Sequence, residues 1–205
     1  AYHREPERPA AFAGRSYAAH PVTLRAELAR HFTHERGAGP PGPASGGTLR
    51  GILAPHIDYF RGGHTYTWAY RALAERSDAD LFVILGVAHQ ACERRFILTF
   101  KDFRTPLGLA RTDRTFVARL ADRAGGHLFD DELVHRTEHS IEFQVVFLQH
   151  VLGARPFTIV PILVGSFHDL MAPGLDPIAV DAEIGRFVAA LQDAERASGR
   201  RVAYI

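Results

Sequence analysis

Histidine residues follow two apolar segments of this sequence, at positions where an imidazole could bind a metal ion or move a proton. Gly51–Ala54 stops at Pro55 and is followed by His56. Leu81–Gly86 is followed three residues later by His89. An apolar run that ends at proline or glycine is typical of a buried strand that leads into a loop. Each histidine is therefore either part of a site or a loop residue hydrogen-bonded to the backbone.

A helix is predicted between these two histidines. Four residues recur at the spacing of one helical face: Tyr66, Ala69, Tyr70 and Leu73. The interval from His56 to His89 fits the roughly 30 residues of a right-handed βαβ unit. Its parallel strands end at the same edge of a sheet, where ligands of α/β proteins usually bind. We therefore expect His56 and His89 on one rim, where they could be a pair of metal ligands.

A second candidate pair lies in an apolar helix predicted between Thr137 and Gly153. His139 and Glu142 are three residues apart and would share one face of it. An unsatisfied polar group in a protein interior costs about 1–3 kcal/mol, so both side chains need partners. They are either a functional pair or a structural His–Glu bond that fixes the helix start. The spacing is not that of a zincin helix, which has two histidines four residues apart.

Two further residues have open roles. The apolar run Phe157–Val164 is a third predicted strand, and His168 follows it, so His168 either reaches the same rim or caps the next turn. Cys92, the only cysteine, either lines the pocket beside His89 or is a small buried hydrophobic residue. A single cysteine excludes an intramolecular disulfide.

The composition is that of an ordinary globular protein. The chain has 205 residues, 46% of them hydrophobic and 23% charged, and we expect one domain over residues 1–205. The net charge of +1 gives no reason to expect a nucleic-acid or membrane partner. The sequence has no signal-peptide core and no apolar run near the ~20 residues of a membrane span. A cytoplasmic location is therefore expected.

The remaining pattern predicts alternating helices and strands. Helices are expected over about 23–33, 113–124 and 181–194, a strand over 95–100, and a turn segment over 101–108. Arg201–Ile205 looks like the first half of a strand, so we expect the domain to be truncated at its C-terminus.

Several segments, in chain order, together resemble the Memo family (the AmmeMemoRadiSam system protein B-like group). These are Ala13–Tyr17 (AGRSY), Ala54–Tyr59 with Arg61–Gly63, Ile84–His89, Thr105–Gly108, Glu138–Glu142 (EHSIE) and Ile159–Gly165. The resemblance implies an α/β fold related to the LigB-type class III extradiol dioxygenases. It would be a three-layer sandwich with a central, mostly parallel or mixed sheet.

The resemblance also implies a mononuclear metal site at the sheet edge. By position, His56 and His89 match its two histidine ligands. The third ligand would lie beyond Ile205; it is a carboxylate in the extradiol enzymes and tends to be a cysteine in Memo proteins. Fe(II) is the implied metal, with copper or zinc as alternatives, and radical SAM and AMMECR-type proteins are implied partners. Asp58 stands where many Memo sequences have glycine, and could accept a hydrogen bond from metal-bound water or an imidazole.

Three functions follow from these features. The first is a metal-dependent redox enzyme that acts on a small, phenolic molecule, with His139 or His168 as general base and Glu142 as its orienter. The second is a non-catalytic module that binds a peptide or phosphopeptide, although the sequence shows no arginine cluster of the kind that binds phosphate. The third is metal-assisted hydrolysis, with Glu142 or Asp58 as the base.

Overall fold

Two apolar segments form neighbouring parallel strands at the centre of the sheet, with Leu81 beside Thr158 and Val87 beside Val164. The computed structural model describes residues 2–205, and its sheet has seven strands over that range. In chain order the strands are β1 (Glu7–Arg8), β2 (Leu81–Val87), β3 (Phe96–Leu98), β4 (Asp102–Thr105), β5 (Gly108–Thr112), β6 (Thr158–Val164) and β7 (Val202–Tyr204).

The spatial order of the strands is β1-β4-β5-β6-β2-β7, and β3 also pairs with β6. The β5–β6, β6–β2 and β2–β7 pairs are parallel, whereas β3–β6 and β4–β5 are antiparallel. The sheet is therefore mixed, and the three-layer α/β fold predicted for this chain is confirmed.

Helices cover both faces of the sheet. They are α1 (Pro21–Thr33), α2 (Tyr59–Arg76), α3 (Arg114–Ala124), α4 (Ser140–Leu152), α5 (Pro177–Val180) and α6 (Ala182–Ser198). Buried residues of α1, α2 and α4 belong to one hydrophobic cluster, and those of α3 and α6 to another. Residues 81–84 of β2 and 159–163 of β6 are buried, so these parts can be apolar without alternation, whereas Leu85 and Val87 near the end of β2 are exposed. No helix within residues 2–205 is both long and apolar enough to span a membrane.

The predicted all-round burial of α4 is confirmed, since eleven of its residues are buried. It lies between the sheet and the pair α1 and α2. Its predicted start at Thr137 is wrong, because His139 is the N-cap and the helix begins at Ser140. Gly153 ends it as predicted.

Two other predictions about local structure are wrong. Gly51–Ala54 is not a buried strand: Gly51 forms a single bridge with Tyr204 beside β7, and Leu53 is 97% exposed. Residues 101–108 are not only a turn, because β4 and β5 form an antiparallel hairpin there. Polar residues in these two strands interrupt the apolar pattern from which strands are predicted. Asp102, for example, is buried but accepts a hydrogen bond from the Thr112 backbone N–H at 2.9 Å.

Candidate metal centre

Three imidazoles meet at the carboxyl edge of the sheet. His56 Nε2 lies 3.2 Å from His89 Nε2. The ring of His139 stacks on that of His89, with centroids 4.7 Å apart and an interplanar angle of 18°. One ligand atom from each of the three residues lies within 4.8 Å of the others. The three side chains therefore form one cluster that could bind a metal ion.

His56 is held by a loop whose backbone carbonyls are bonded to neighbouring helices. The Gln144 side-chain amide of α4 donates to the Pro55 carbonyl at 2.9 Å. The Tyr66 hydroxyl of α2 donates to the Ile57 carbonyl at 2.8 Å. These two bonds flank His56 and fix the loop at the point where its ring enters the cluster.

His89 meets His139 because the start of α4 packs tightly on the end of β2. A Cβ added at Gly86 would lie 2.5 Å from Ile141 and 2.6 Å from Ser140 Oγ, so no larger residue fits there without movement. The Ser140 hydroxyl also donates to the Val87 carbonyl at 2.9 Å. The close approach at a glycine thus places the residues just before α4 beside the loop that carries His89.

Glu138 connects two of the imidazoles. Its carboxylate lies 3.0 Å from His89 Nδ1 and 3.1 Å from His139 Nδ1, and it accepts backbone N–H groups of His89, His139 and Ser140. Burial alone would raise the pKa of this carboxyl, but these hydrogen bonds hold the pKa well below its usual range. An ionised Glu138 fixes Nδ1 of His89 as the protonated nitrogen, so Nε2 is free to face His56.

His139 is bonded at both ring nitrogens. Nδ1 faces Glu138, and Nε2 lies 3.1 Å from the His56 carbonyl oxygen. The hydrogen bond to Glu138 raises the pKa of His139 above its ordinary value. Two oxygen acceptors suit an imidazolium that donates from both nitrogens. His139 would therefore have to give up one of these bonds to become a third ligand.

The free nitrogens of His56 and His89 fit a single ion. Two ligand atoms about 2.1 Å from one metal are roughly 3.0–3.4 Å apart at the angles common in protein sites, and the observed separation of these two Nε2 atoms is 3.2 Å. Burial, and then the neighbouring rings of His89 and His139, lower the pKa of His56. A neutral imidazole is the form that ligates metals. The donor set suits iron, copper or zinc.

A cavity of about 660 Å³ opens beside the cluster. The three imidazoles line it, together with Pro55, Ile57, Asp58 and Arg61 from the loop and first turn of α2, and Phe12, Arg15 and Ser16 from the N-terminal segment. Phe12 packs edge-on against His139, with ring centroids 5.5 Å apart. The cluster is therefore accessible from solvent through a space large enough for a small molecule.

Glu142 is fully buried and its carboxylate bonds to the N-terminal segment of the chain. It forms an ion pair with Arg8, accepts the Tyr17 hydroxyl, and accepts the backbone N–H groups of Ala11 and Phe12 at 3.1 and 3.0 Å. The structure thus places Glu142 as the anchor of the segment that forms one cavity wall. It is Glu138, one residue before His139, that bonds to the imidazoles.

The other predicted residues lie at different distances from the cluster. Asp58 lines the cavity, and its side chain does not cap α2, which starts at the next residue. His168 follows β6 in a short 3₁₀ helix and is not among the residues that line the cavity within the described chain. Cys92 is half-buried and packs on the hydrophobic core, and burial raises its thiol pKa. The structure therefore favours the hydrophobic role for Cys92.

Sequence patterns alone did not identify Glu138 or the cavity wall of Phe12, Arg15 and Ser16. Two of the segments that carry the family resemblance, EHSIE and AGRSY, are the signals that could have identified them. EHSIE places one glutamate directly before His139 and another three residues after it, and AGRSY contains both Arg15 and Ser16. Neither segment shows by itself that it would lie beside His56 and His89.

Comparisons with known proteins identify relatives of this chain. The family model described as Memo-like protein matches residues 8–175. A MEMO1 family protein of Methanopyrus kandleri is 38% identical over 169 residues, which is 80% of this chain and 58% of the relative. A MEMO1 family protein of Methanocaldococcus jannaschii is 35% identical over 161 residues, or 74% and 55% of the two chains.

A third relative gives a similar identity over a shorter range. The protein named memo-1 homolog of Caenorhabditis elegans is 38% identical over 123 residues, which is 58% of this chain and 34% of the relative. The chain spans about half the length of the archaeal relatives that it matches.

Proposed function

The chain belongs to the Memo-like protein family. We propose that His56 and His89 hold one metal ion at which a small molecule undergoes a redox reaction. Iron(II) is the proposed ion, with copper as the alternative. The proposed class is that of the mononuclear non-haem enzymes related to extradiol dioxygenases, whose substrates are phenolic.

One observation carries this proposal. The Nε2 atoms of His56 and His89 are 3.2 Å apart, while Nδ1 of His89 is bonded to the ionised Glu138. A carboxylate on the far nitrogen of a histidine is the usual way in which proteins orient an imidazole ligand and increase its basicity. An isolated pair of loop histidines would not need a buried carboxylate behind one of them.

A bound iron or copper ion with two imidazole ligands would keep coordination positions open for oxygen and substrate. The residues of this chain would do the rest. Glu138 fixes the orientation of His89, and Phe12 covers one side of His139. His139 lies in the cavity beside both proposed ligands, and on release of its bond to the His56 carbonyl its Nε2 would be placed to pass a proton to or from the substrate.

Metal-assisted hydrolysis is a second candidate because of Asp58. Its carboxylate lines the cavity without capping α2, whereas Glu142, the other base considered from the sequence, is bonded to the N-terminal segment. A free carboxylate near a metal-bound water could act as a general base. Product release from ester or amide substrates in the absence of oxygen would favour this candidate over the redox reaction.

Elemental analysis tests the metal site directly. The purified chain is measured as isolated and after anaerobic Fe(II) loading, beside His56→Ala, His89→Ala and the control His20→Ala, which changes an exposed histidine that does not cap α1 by its side chain. We expect near-stoichiometric metal in the wild type and the control, and loss in the two cluster variants. Equal metal content in all four proteins would refute the site.

Oxygen consumption then tests the reaction class. Metal-loaded protein is incubated aerobically with catechols and related phenols, and oxygen uptake is recorded beside His139→Gln. Uptake that depends on both the metal and His139 would support the redox proposal. Stoichiometric metal without uptake on any of these phenols would exclude ring cleavage and leave hydrolysis as the candidate.

A further inference from the structure

We infer that the cavity beside the histidines binds a small molecule by an acidic group, a carboxylate or a phosphate, held between Arg15 and Arg61. The inference rests on the proposed function, because it assigns the other end of the molecule that would react at the metal. Both arginines line the same cavity as the three imidazoles. The sequence separates them by 46 positions in numbering, so the charged pair is formed only by folding.

Arg15 is held on the cavity wall by its neighbour in the same segment. Its guanidinium lies over the ring of Phe12, 5.8 Å from the centroid, which is within the range of a cation–π contact. Phe12 in turn packs on His139. The positive charge is therefore separated from the histidine cluster by a single aromatic ring.

Arg61 lines the cavity from a different segment of the chain. It lies in the first turn of α2, and its backbone N–H donates to the Asp58 carbonyl at 3.0 Å. The loop that leads into this turn also carries His56. His56 and Arg61 therefore line the same cavity from one continuous segment.

The charges of the cavity favour an anion. Arg15 and Arg61 are exposed, and within residues 2–205 neither guanidinium forms an ion pair or a side-chain hydrogen bond with the protein. The negative groups nearby are Asp58 and Glu138. The Glu138 carboxylate already accepts hydrogen bonds from the backbone N–H groups of His89, His139 and Ser140. A guanidinium presents parallel N–H donors that match a carboxylate or phosphate.

The size of the cavity indicates a small molecule as the occupant. Its volume of about 660 Å³ lies within the roughly 300–1,000 Å³ typical of small-molecule sites. One acidic group at the arginines and one reactive group at the histidines would then define the orientation of the substrate. The expectation from sequence that no arginine cluster exists overlooked this pair, because its two members come from separate segments.

Three probe molecules test whether the cavity binds a ligand by its acidic group. Isothermal titration of the purified chain compares benzoate and phenyl phosphate with benzyl alcohol, which has the same ring and no charge. The variants are Arg15→Gln, Arg61→Gln and the control Arg119→Gln, an exposed arginine of α3 outside this cavity. We expect at least one anion to bind more tightly than benzyl alcohol and to lose about tenfold or more in affinity in each cavity variant but not in the control.

Asp58→Asn gives a gain of affinity as an independent test. Removing the one free carboxylate of the cavity should tighten anion binding severalfold and leave benzyl alcohol binding unchanged. Tighter anion binding in this variant would require a folded site, so it could not result from loss of the fold. Unchanged or weaker anion binding in Asp58→Asn would contradict the charge argument.

Three outcomes would overturn the inference. The first is equal anion affinity in the wild type, the two cavity variants and the control. The second is anion binding that disappears on chelation of metal and does not depend on either arginine, because the anion would then be a metal ligand. The third is a phosphotyrosyl peptide that binds more than about 100-fold tighter than phenyl phosphate, which would assign the cavity to a peptide.

Metal content, measured on the same samples, separates this inference from the proposed function. Arginine-dependent anion binding in a chain that takes up no metal would support the anion site and refute the metal site. Stoichiometric metal with arginine-independent binding would do the reverse.

Discussion

Glu138 bonds to His89 twice, by accepting the backbone N–H at 2.9 Å and by facing ring Nδ1 at 3.0 Å. The backbone bond fixes where the loop runs, and the ring bond fixes which way the imidazole points. Because the carboxylate is only 3% exposed, water cannot replace it in either role. One buried side chain therefore determines both the position and the tautomer of a proposed metal ligand.

Glu138→Gln should weaken metal binding. The amide has nearly the same shape, but it is neutral and one of its two ends donates, so it cannot accept all the N–H groups that converge on Glu138. Loss of such a partner typically costs about 10–100-fold in metal affinity. Competition titration with a chelator measures the change. Glu93→Gln, at an exposed position, is the control, and equal affinities in the two variants would refute the orienting role of Glu138.

The Arg8–Glu142 ion pair should contribute mainly to stability. Both side chains are fully buried, and Arg8 also donates to the carbonyls of His135 and Glu138. Removing one partner of a buried pair leaves an uncompensated charge and costs about 3–5 kcal/mol. We expect losses of that size for Arg8→Met and Glu142→Leu, measured by urea denaturation.

The double variant Arg8→Met with Glu142→Leu is the control for this pair. Its loss in the free energy of unfolding should be smaller than the sum of the two single losses, because no buried charge is left alone. A Glu142 variant of unchanged stability that loses turnover would instead restore the catalytic role considered from the sequence. The measurement therefore separates an anchoring residue from a general base.

The sequence predicted the meeting of His56 and His89 from a βαβ unit, and the two rings do meet although only the second strand of that unit, β2, forms. Residues 51–54 instead make a single parallel bridge beside β7, which still brings the loop that carries His56 to the edge of the sheet where β2 ends. Long, uninterrupted apolar patterns predicted the buried strands β2 and β6 and the helix α4. These elements needed no knowledge of distant contacts.

The remaining parts of the site depend on contacts between distant segments. Glu138 reaches His89 because Gly86 lets α4 approach β2, and local periodicity carries no information about that distance. Helical spacing suggested a His139–Glu142 pair, but His139 is the N-cap of α4 and its ring nitrogens face Glu138 and the His56 carbonyl. Glu142 instead bonds to residues 8–17, a segment without regular structure over most of its length.

Stability should decrease below about pH 6.5 because of His135. Burial lowers the pKa of this histidine to about 3, and its Nδ1 has no hydrogen-bond partner within the described residues. An unfolded chain takes up a proton near pH 6.5, whereas the folded one does not until the pH approaches 3. The folded state therefore loses up to about 1.4 kcal/mol per pH unit in this window, and the loss is absent above pH 6.5.

Urea denaturation between pH 7 and pH 4 tests this dependence. In His135→Gln the free energy of unfolding should be lower at pH 7, because the hydrogen bond between the ring and the Ile97 carbonyl, 3.1 Å long, is altered. The free energy of unfolding of this variant should nevertheless fall less steeply as the pH decreases. His20→Gln, at an exposed site, should keep the wild-type slope. An unchanged slope in His135→Gln would show that other groups cause the acid sensitivity.

Gly86→Ala should weaken metal binding without touching any imidazole. The new Cβ would meet the Ile141 side chain at 2.5 Å and Ser140 Oγ at 2.6 Å, so these side chains must shift, and we expect the start of α4 to move away from β2 with them. Overpacking of this kind usually costs about 1–3 kcal/mol of stability. The movement should also lengthen the contact between Glu138 and His89, so we expect lower metal affinity in a protein that still folds.

The control for this variant is Gly42→Ala, where the added Cβ would lie 3.3 Å from the flexible end of the Glu75 side chain. That variant should retain both stability and metal affinity. If Gly86→Ala lost stability but kept full metal affinity, the close approach of α4 to β2 would serve the fold alone. A parallel loss of both would show that this glycine contact is what brings Glu138 to the ring of His89.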